Sequence, residues 1–236
     1  MKTVFVGPTF PDAGKLAGGK IDVRPPASQG DVFRAVKDGA TVIGIVDGYF
    51  EYAAPIWHKE ILFALSQGIR VFGAASMGAL RAAECAAYGM TGIGRIYEMY
   101  ASGTLEDDSA VAQLHAPGEL GYRSLSEPLV NVVSTLSDML ARGLIGHEEQ
   151  RILDENARAI FFKQRTWKSI LAAAQIEPQR AEELARLIAA NTIDQKRRDA
   201  EELLAAVIAA PDAYSAPPEN WSFNRTTLWD ALERNA

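Results

Sequence analysis

Apolar residues in the first hundred positions fall in short unbroken runs, whereas beyond residue 125 they recur every three or four positions. The early runs are Thr3 to Val6, stopped by Gly7-Pro8, Thr41 to Val46, stopped by Asp47-Gly48, and Val71 to Ala75, which ends at Ser76. Runs of this length with no polar alternation predict strands buried on both faces, as in a parallel sheet covered by helices. Between them, Asp31 to Gly39 reads as a helix capped by Asp31 and stopped by Gly39. A second helix opens at Pro55, reaches Leu65 and is closed by Gly68. Residues 10 to 30 are rich in Gly and Pro and read as loop, with a short strand near Ile21 to Val23. One helix follows Ser76 at once and ends near Tyr88 and Gly89, and a shorter one covers Arg95 to Ser102.

From Glu127 the period is 3.6. Helices are predicted over Pro128 to Arg142, Glu148 to about Ala174, and Pro178 to about Ala209 with a break near Asn191. After Pro211, Pro217 and Pro218 comes a last amphipathic stretch, Thr226 to Glu233. The charge run from Lys196 to Glu202 reads as a solvated helix face. The expected fold is α/β: a parallel β-sheet core flanked by helices over residues 1–125, holding the active site. An all-helical part over residues 126–236 is expected to pack on that core.

Composition removes several functions. A net charge of −6 gives no electrostatic footprint for nucleic acid. The single cysteine, Cys85, excludes an intrachain disulfide and a Cys-rich metal site, and reads as a small buried residue. No apolar run reaches 18 residues, so no membrane partner is expected. The N-terminus enters a strand without a signal pattern, and the expectation is the cytoplasm.

In parallel sheets ligands bind beyond the carboxyl ends of the strands. Gly7-Pro8, Asp47-Gly48 and Ser76 are all predicted at that edge. Ser76 stands where a strand passes directly into a helix, with Gly73, Ala74, Ala75, Gly78 and Ala79 small enough for close approach. This is the arrangement of a nucleophile elbow, although Ala74 occupies the position of the leading glycine in G-x-S-x-G. The competing reading is that Ser76 caps the helix. A third is that Gly73 to Gly78 cradles a phosphate, but no G-x-x-x-x-G-K-[ST] pattern is present.

A serine hydroxyl needs a base. Asp108 and His115 follow Ser76 in hydrolase order, but an acid and histidine seven residues apart need a local turn to meet. His147 reads as a surface residue of the helical part. Lys59 is bracketed by Ile56, Leu62 and Phe63 on one helix face, which predicts partial desolvation and more neutral amine. Asp47 or Glu51 could orient Lys59 or a substrate group, and Asp47 could equally serve only its turn with Gly48.

Several longer motifs agree with a known family. Phe5 to Thr9, Gly44 to Glu51, Trp57 to Leu65, Gly73 to Glu84, Leu105 to Asp108 and Ser126 to Asn131 together resemble the TfuA-like family, over residues 3 to 140. The resemblance implies a partner of YcaO enzymes in peptide thioamidation. It further implies a hydrolase that releases sulfide from the C-terminal thiocarboxylate of a ThiS-type sulfur carrier. The family's Ser–Lys pair falls on Ser76 and Lys59, and no cofactor or metal is implied. The expected oxyanion donors are the N–H of Met77 with one from Gly7, Thr9 or Gly48, since Pro8 has none. The alternative is a non-catalytic adaptor that binds a YcaO enzyme.

Overall fold

The computed structural model describes residues 1–49 and 53–235. Among these, five strands form one sheet: β1 (Lys2–Phe5), β2 (Asp22–Arg24), β3 (Val42–Ile45), β4 (Arg70–Ala74) and β5 (Thr91–Ile93). All pairs are parallel and the order is β2-β1-β3-β4-β5. The order reverses between β1 and β3, so the crevice of a doubly wound sheet lies at the carboxyl ends of those two strands. Phe5 pairs with Ile45 and Ile45 with Gly73, which brings the three strand ends level.

The chain divides into two compact units, one of Met1–Glu106 with Arg197–Ala236, the other of Asp107–Lys196. The first contains the sheet together with α1 (Ala13–Ala17), α2 (Asp31–Lys37), α3 (His58–Ser66), α4 (Met77–Cys85) and α5 (Gly94–Ala101). On one face Ile43, Ile45 and Val71 bury against Val32, Ile61, Met77 and Ala82 of α2 to α4. On the other, Val4, Val42 and Ala74 bury against Phe10 and against Leu203 and Val207. Fully burying each such Val, Leu, Ile, Phe or Met side chain stabilises by roughly 1.5–3 kcal/mol. This second cover comes from α10 (Gln195–Ala209), late in the sequence. Gly44 permits it: a Cβ there would stand 2.9 Å from Leu203 Cδ2 and 3.0 Å from Val207 Cγ2. The last helix, α11 (Thr227–Asn235), seats Trp229 without exposure among Phe33, Phe63 and Phe223.

The second unit holds α6 (Leu129–Ala141), α7 (His147–Ala159), α8 (Trp167–Ala173) and α9 (Pro178–Asn191). Val130, Val132, Leu136 and Met139 of α6 and Leu153 and Ala157 of α7 are buried. Its two ends are joined, because Lys196 donates its ammonium to the Val111 carbonyl at 2.9 Å.

Several expectations are corrected. The helix expected from Glu148 to Ala174 is two helices, because Ile160 leaves helical geometry at φ −84°, ψ 127°. Arg165 Nε then bonds the Ala157 carbonyl at 2.8 Å, and a Thr166–Ser169 box restarts the chain as α8. The run from Lys196 to Glu202 is not a uniformly solvated face. Lys196 and Asp199 are buried, and Asp199 accepts the Ile96 N–H at 2.8 Å to cap α5. Gly30, not Asp31, caps α2, while Asp31 accepts from Ser28 N and Oγ at 2.7 Å each. Helix α1 and strand β5 were not expected. No helix among the described residues is long and apolar enough to cross a membrane.

Candidate active site at the carboxyl edge of the sheet

Strand β4 ends at Ala74, one residue earlier than its apolar run suggests. Ala75 takes φ +66° and Ser76 N–H turns back to the Ala74 carbonyl at 2.8 Å, closing a three-residue turn. Such a turn at a non-glycine residue is strained by about 1–3 kcal/mol, so the strain sits one residue before the serine. Helix α4 then begins at Met77, and Gly78 N–H donates to the Val46 carbonyl of the neighbouring strand at 3.1 Å. Gly78 must be glycine, because a Cβ would stand 1.8 Å from the Ile45 carbonyl oxygen. Gly73 is equally confined, 2.2 Å from the Gly78 carbonyl oxygen.

Ser76 occupies the N-cap position of α4, but its hydroxyl makes no capping hydrogen bond. The side chain is 8 % exposed, and among the described residues the hydroxyl has no hydrogen-bond partner. The N–H groups of Met77 and Gly48 are likewise without a partner among the described residues. The two residues touch: a Cβ on Gly48 would meet Met77 Cγ at 2.9 Å. Among the described residues, therefore, the Ser76 hydroxyl and the adjoining Met77 N–H are both unused, and Gly48, with its own unused N–H, contacts the Met77 side chain. A serine that serves only as a cap would spend its hydroxyl on the helix N–H groups.

The loop after β1 behaves differently from expectation. Gly7 and Thr9 donate their N–H groups to Asp47 Oδ2 at 2.9 and 3.0 Å, and the Thr9 hydroxyl donates to Asp47 Oδ1 at 2.5 Å. Gly7 and Thr9 are thus occupied and are not open oxyanion donors. Asp47 is 2 % exposed and forms no ion pair with Lys59, so it does not orient that amine. Glu51, the other carboxylate considered, lies outside the described residues.

Lys59 is in the first turn of α3, as expected, and half-buried. Its ammonium stands 5.5 Å from the centroid of the Phe223 ring and has no acidic partner among the described residues. It lines a cleft of about 290 Å³ with Trp57, Leu62, Tyr88, Trp221 and Phe223. Its amine makes no hydrogen bond to Ser76. His58, its neighbour, bonds Glu84 at 2.8 Å, and Arg81 Nε donates to the Ile56 carbonyl at 3.1 Å. Glu84 is eight residues beyond Ser76, about 12 Å along the helix. Lys59 is thus tied to the far end of α4. Its cation–π neighbour Phe223 comes from a segment without secondary structure, where no periodicity marks a contact.

The remaining candidates are placed simply. Burial, and then the nearby Glu84 carboxylate, push the Cys85 thiol up to about 11, which leaves it protonated and unreactive. Burial works against ionisation of Glu84 itself, but hydrogen bonds from His58 and Arg81 hold its pKa below the usual value. In the second unit His115 Nδ1 is 2.9 Å from the Ala116 carbonyl and its ring meets Tyr122 edge-on, with no bond to Asp108. His147 is exposed at the start of α7.

A doubly wound parallel sheet with Ser76 at the β4–α4 turn, on the edge where the strands end, defines an α/β protein. The sequence profile of the TfuA-like proteins matches residues 47–166, from the Asp47 clamp through α7, and the chain belongs to that family. No curated protein matches the chain.

Proposed function

We propose that the protein hydrolyses the C-terminal thiocarboxylate of a ThiS-type sulfur carrier and delivers sulfide to a YcaO enzyme for peptide thioamidation. The YcaO association is what membership of the TfuA-like family implies. The observation that supports the chemistry is the Ser76 hydroxyl, without a hydrogen-bond partner among the described residues, next to the Met77 N–H, which likewise has none there, with the Gly48 N–H at the same sheet edge.

In this reading Ser76 Oγ gives its proton to the base and attacks the thiocarboxylate carbon. The developing oxyanion accepts from Met77 and Gly48, each such donor contributing about 3–4 kcal/mol where water is excluded. The carbon–sulfur bond breaks, sulfide leaves as HS⁻ with the proton returned by the base, and an acyl-serine remains. Water then attacks the ester and releases the carrier with an ordinary carboxylate. Lys59 is the proposed base, as the family resemblance implies. Its amine now lies over Phe223, so that role requires the amine to leave the ring and reach Ser76.

The absence of a hydrogen bond between Lys59 and Ser76 favours a second reading, a non-catalytic adaptor that binds a YcaO enzyme. Single-turnover sulfide release from a thiocarboxylated carrier by the protein alone separates the two. The hydrolase reading expects release that is lost in Ser76→Ala and in both Lys59→Met and Lys59→Arg, since a guanidinium cannot act as a base. It also expects the rate to rise with pH through one step. Absence of release by the wild type leaves the adaptor, and an active Lys59→Arg variant removes the lysine base alone.

A further inference from the structure

The buried carboxylate of Asp47 has no part in the chemistry just described, yet it holds the loop after β1 at the same sheet edge. It takes both free N–H groups of the loop after β1, from Gly7 and Thr9, and the Thr9 hydroxyl. Its own main chain is fixed on the same side. The Asp47 carbonyl accepts the Ala27 N–H at 2.9 Å, and the Ala27 carbonyl accepts the Tyr49 N–H at 3.0 Å. Both neighbours of Gly48 are therefore pinned to Ala27.

A peptide group is planar and trans, so the Gly48 N–H points opposite to the Asp47 carbonyl that shares its plane. That carbonyl points toward Ala27, which follows β2 and so lies on the β1 side of β3. The Gly48 N–H then faces the β4 side, where Ser76 and Met77 stand. The loop that Asp47 holds is tight as well, since a Cβ on Gly7 would strike Pro26 Cγ at 2.5 Å.

We infer that Asp47 is a positioning residue: by clamping Gly7 and Thr9 it fixes the Asp47–Gly48 peptide plane and so aims the Gly48 N–H at the oxyanion formed on Ser76. The inference rests on the hydrolase reading. It assigns Asp47 no contact with substrate, and it adds that Thr9 contributes through its hydroxyl.

The test uses a fluorophosphonate, which phosphonylates an activated serine without any carrier. Wild-type protein should be labelled at Ser76. Asp47→Ala should lower the maximal labelling rate at least about tenfold with the half-saturating probe concentration unchanged. Asp47→Asn, whose amide oxygen can still accept both loop N–H groups, should restore the rate to within about threefold. Thr9→Val, which loses one bond, should fall between. In ¹⁵N-labelled protein, the Gly48 amide resonance should move in Asp47→Ala and return toward its wild-type position in Asp47→Asn. Equal labelling of wild type and a folded Asp47→Ala overturns the positioning role and leaves the hydrolase reading intact. If Asp47→Ala does not fold, Thr9→Val labelled at the wild-type rate with an unmoved Gly48 amide overturns the positioning role in its place. Wild type inert to the probe overturns both.

Discussion

Around Ser76 the chain is held by backbone hydrogen bonds and by glycines that leave no room for a side chain, whereas around Lys59 it is held by rings. Gly73 and Gly78 fix the serine turn tightly, because the nearest obstacles are carbonyl oxygens, and Asp47 holds the loop after β1 at the same sheet edge. The lysine cleft is formed by Trp57, Trp221 and Phe223, and Trp229 packs behind Trp57 and Phe223 at ring separations of 6.3 and 4.9 Å. Ring contacts are strong in sum but tolerant in direction. The first region has one geometry, and the second can change its geometry without breaking a hydrogen-bonded ladder.

The largest expected effect tests the rigid region. Ser76→Ala should reduce sulfide release by at least about a thousandfold. Its hydroxyl makes no cap bond, so stability should fall by less than the ~1 kcal/mol usual for a capping serine, read by thermal melting. Gly78→Ala should instead destabilise by about 3 kcal/mol or more, since the added methyl meets a strand carbonyl that cannot rotate away. Trp229→Ala should cost a similar ~3–5 kcal/mol in denaturant titration but leave fluorophosphonate labelling of Ser76 per folded molecule unchanged. A parallel loss of labelling would show that the two regions are one.

Much of the rigid region was legible in the sequence and little of the other was. The buried strands announce themselves as unbroken apolar runs, and Gly78 with Ser76 reads as a turn, since both signals are local. The Asp47 clamp was half visible: an aspartate before glycine reads as a turn, but its bonds reach 40 residues back to Gly7. The setting of Lys59 was legible only in part. Helical spacing places it among Ile56, Leu62 and Phe63, yet its amine lies over Phe223, from a stretch with no period. The division of the expected helix at Ile160 was recoverable, because Thr166 and Ser169 carry the capping pattern.

Smaller effects sharpen the same contrast at the junction of α3 and α4. Cys85, with its pKa pushed up to about 11, should react with a disulfide reagent at pH 8 at least about a hundredfold more slowly in the native protein than after unfolding. The His58–Glu84–Arg81 group should show the weakest signal. The Glu84 pKa is depressed in the folded protein, so its contribution is complete above the ordinary carboxylate value and is lost as pH falls through the depressed one. With the side chain 38 % exposed, solvent screening limits this to about 1 kcal/mol or less. Melting temperatures of wild type and Glu84→Gln should therefore differ slightly at neutral pH and converge in acid.

The late position of α10 has a consequence for synthesis. The sheet emerges from the ribosome by residue 93, but the residues that cover Gly44, Leu203 and Val207, arrive more than a hundred positions later. Until then one face of the nascent sheet is covered only by Phe10 and α1, a condition in which aggregation competes with folding. Joining the parts across a disordered Asp107–Lys196 would carry a closure penalty of about 4 kcal/mol. The bond from Lys196 to Val111 removes most of that penalty if the inserted helices fold first, because it delivers α10 with its path already shortened. Loosening that bond, as in Lys196→Met, should slow refolding more than it lowers final stability.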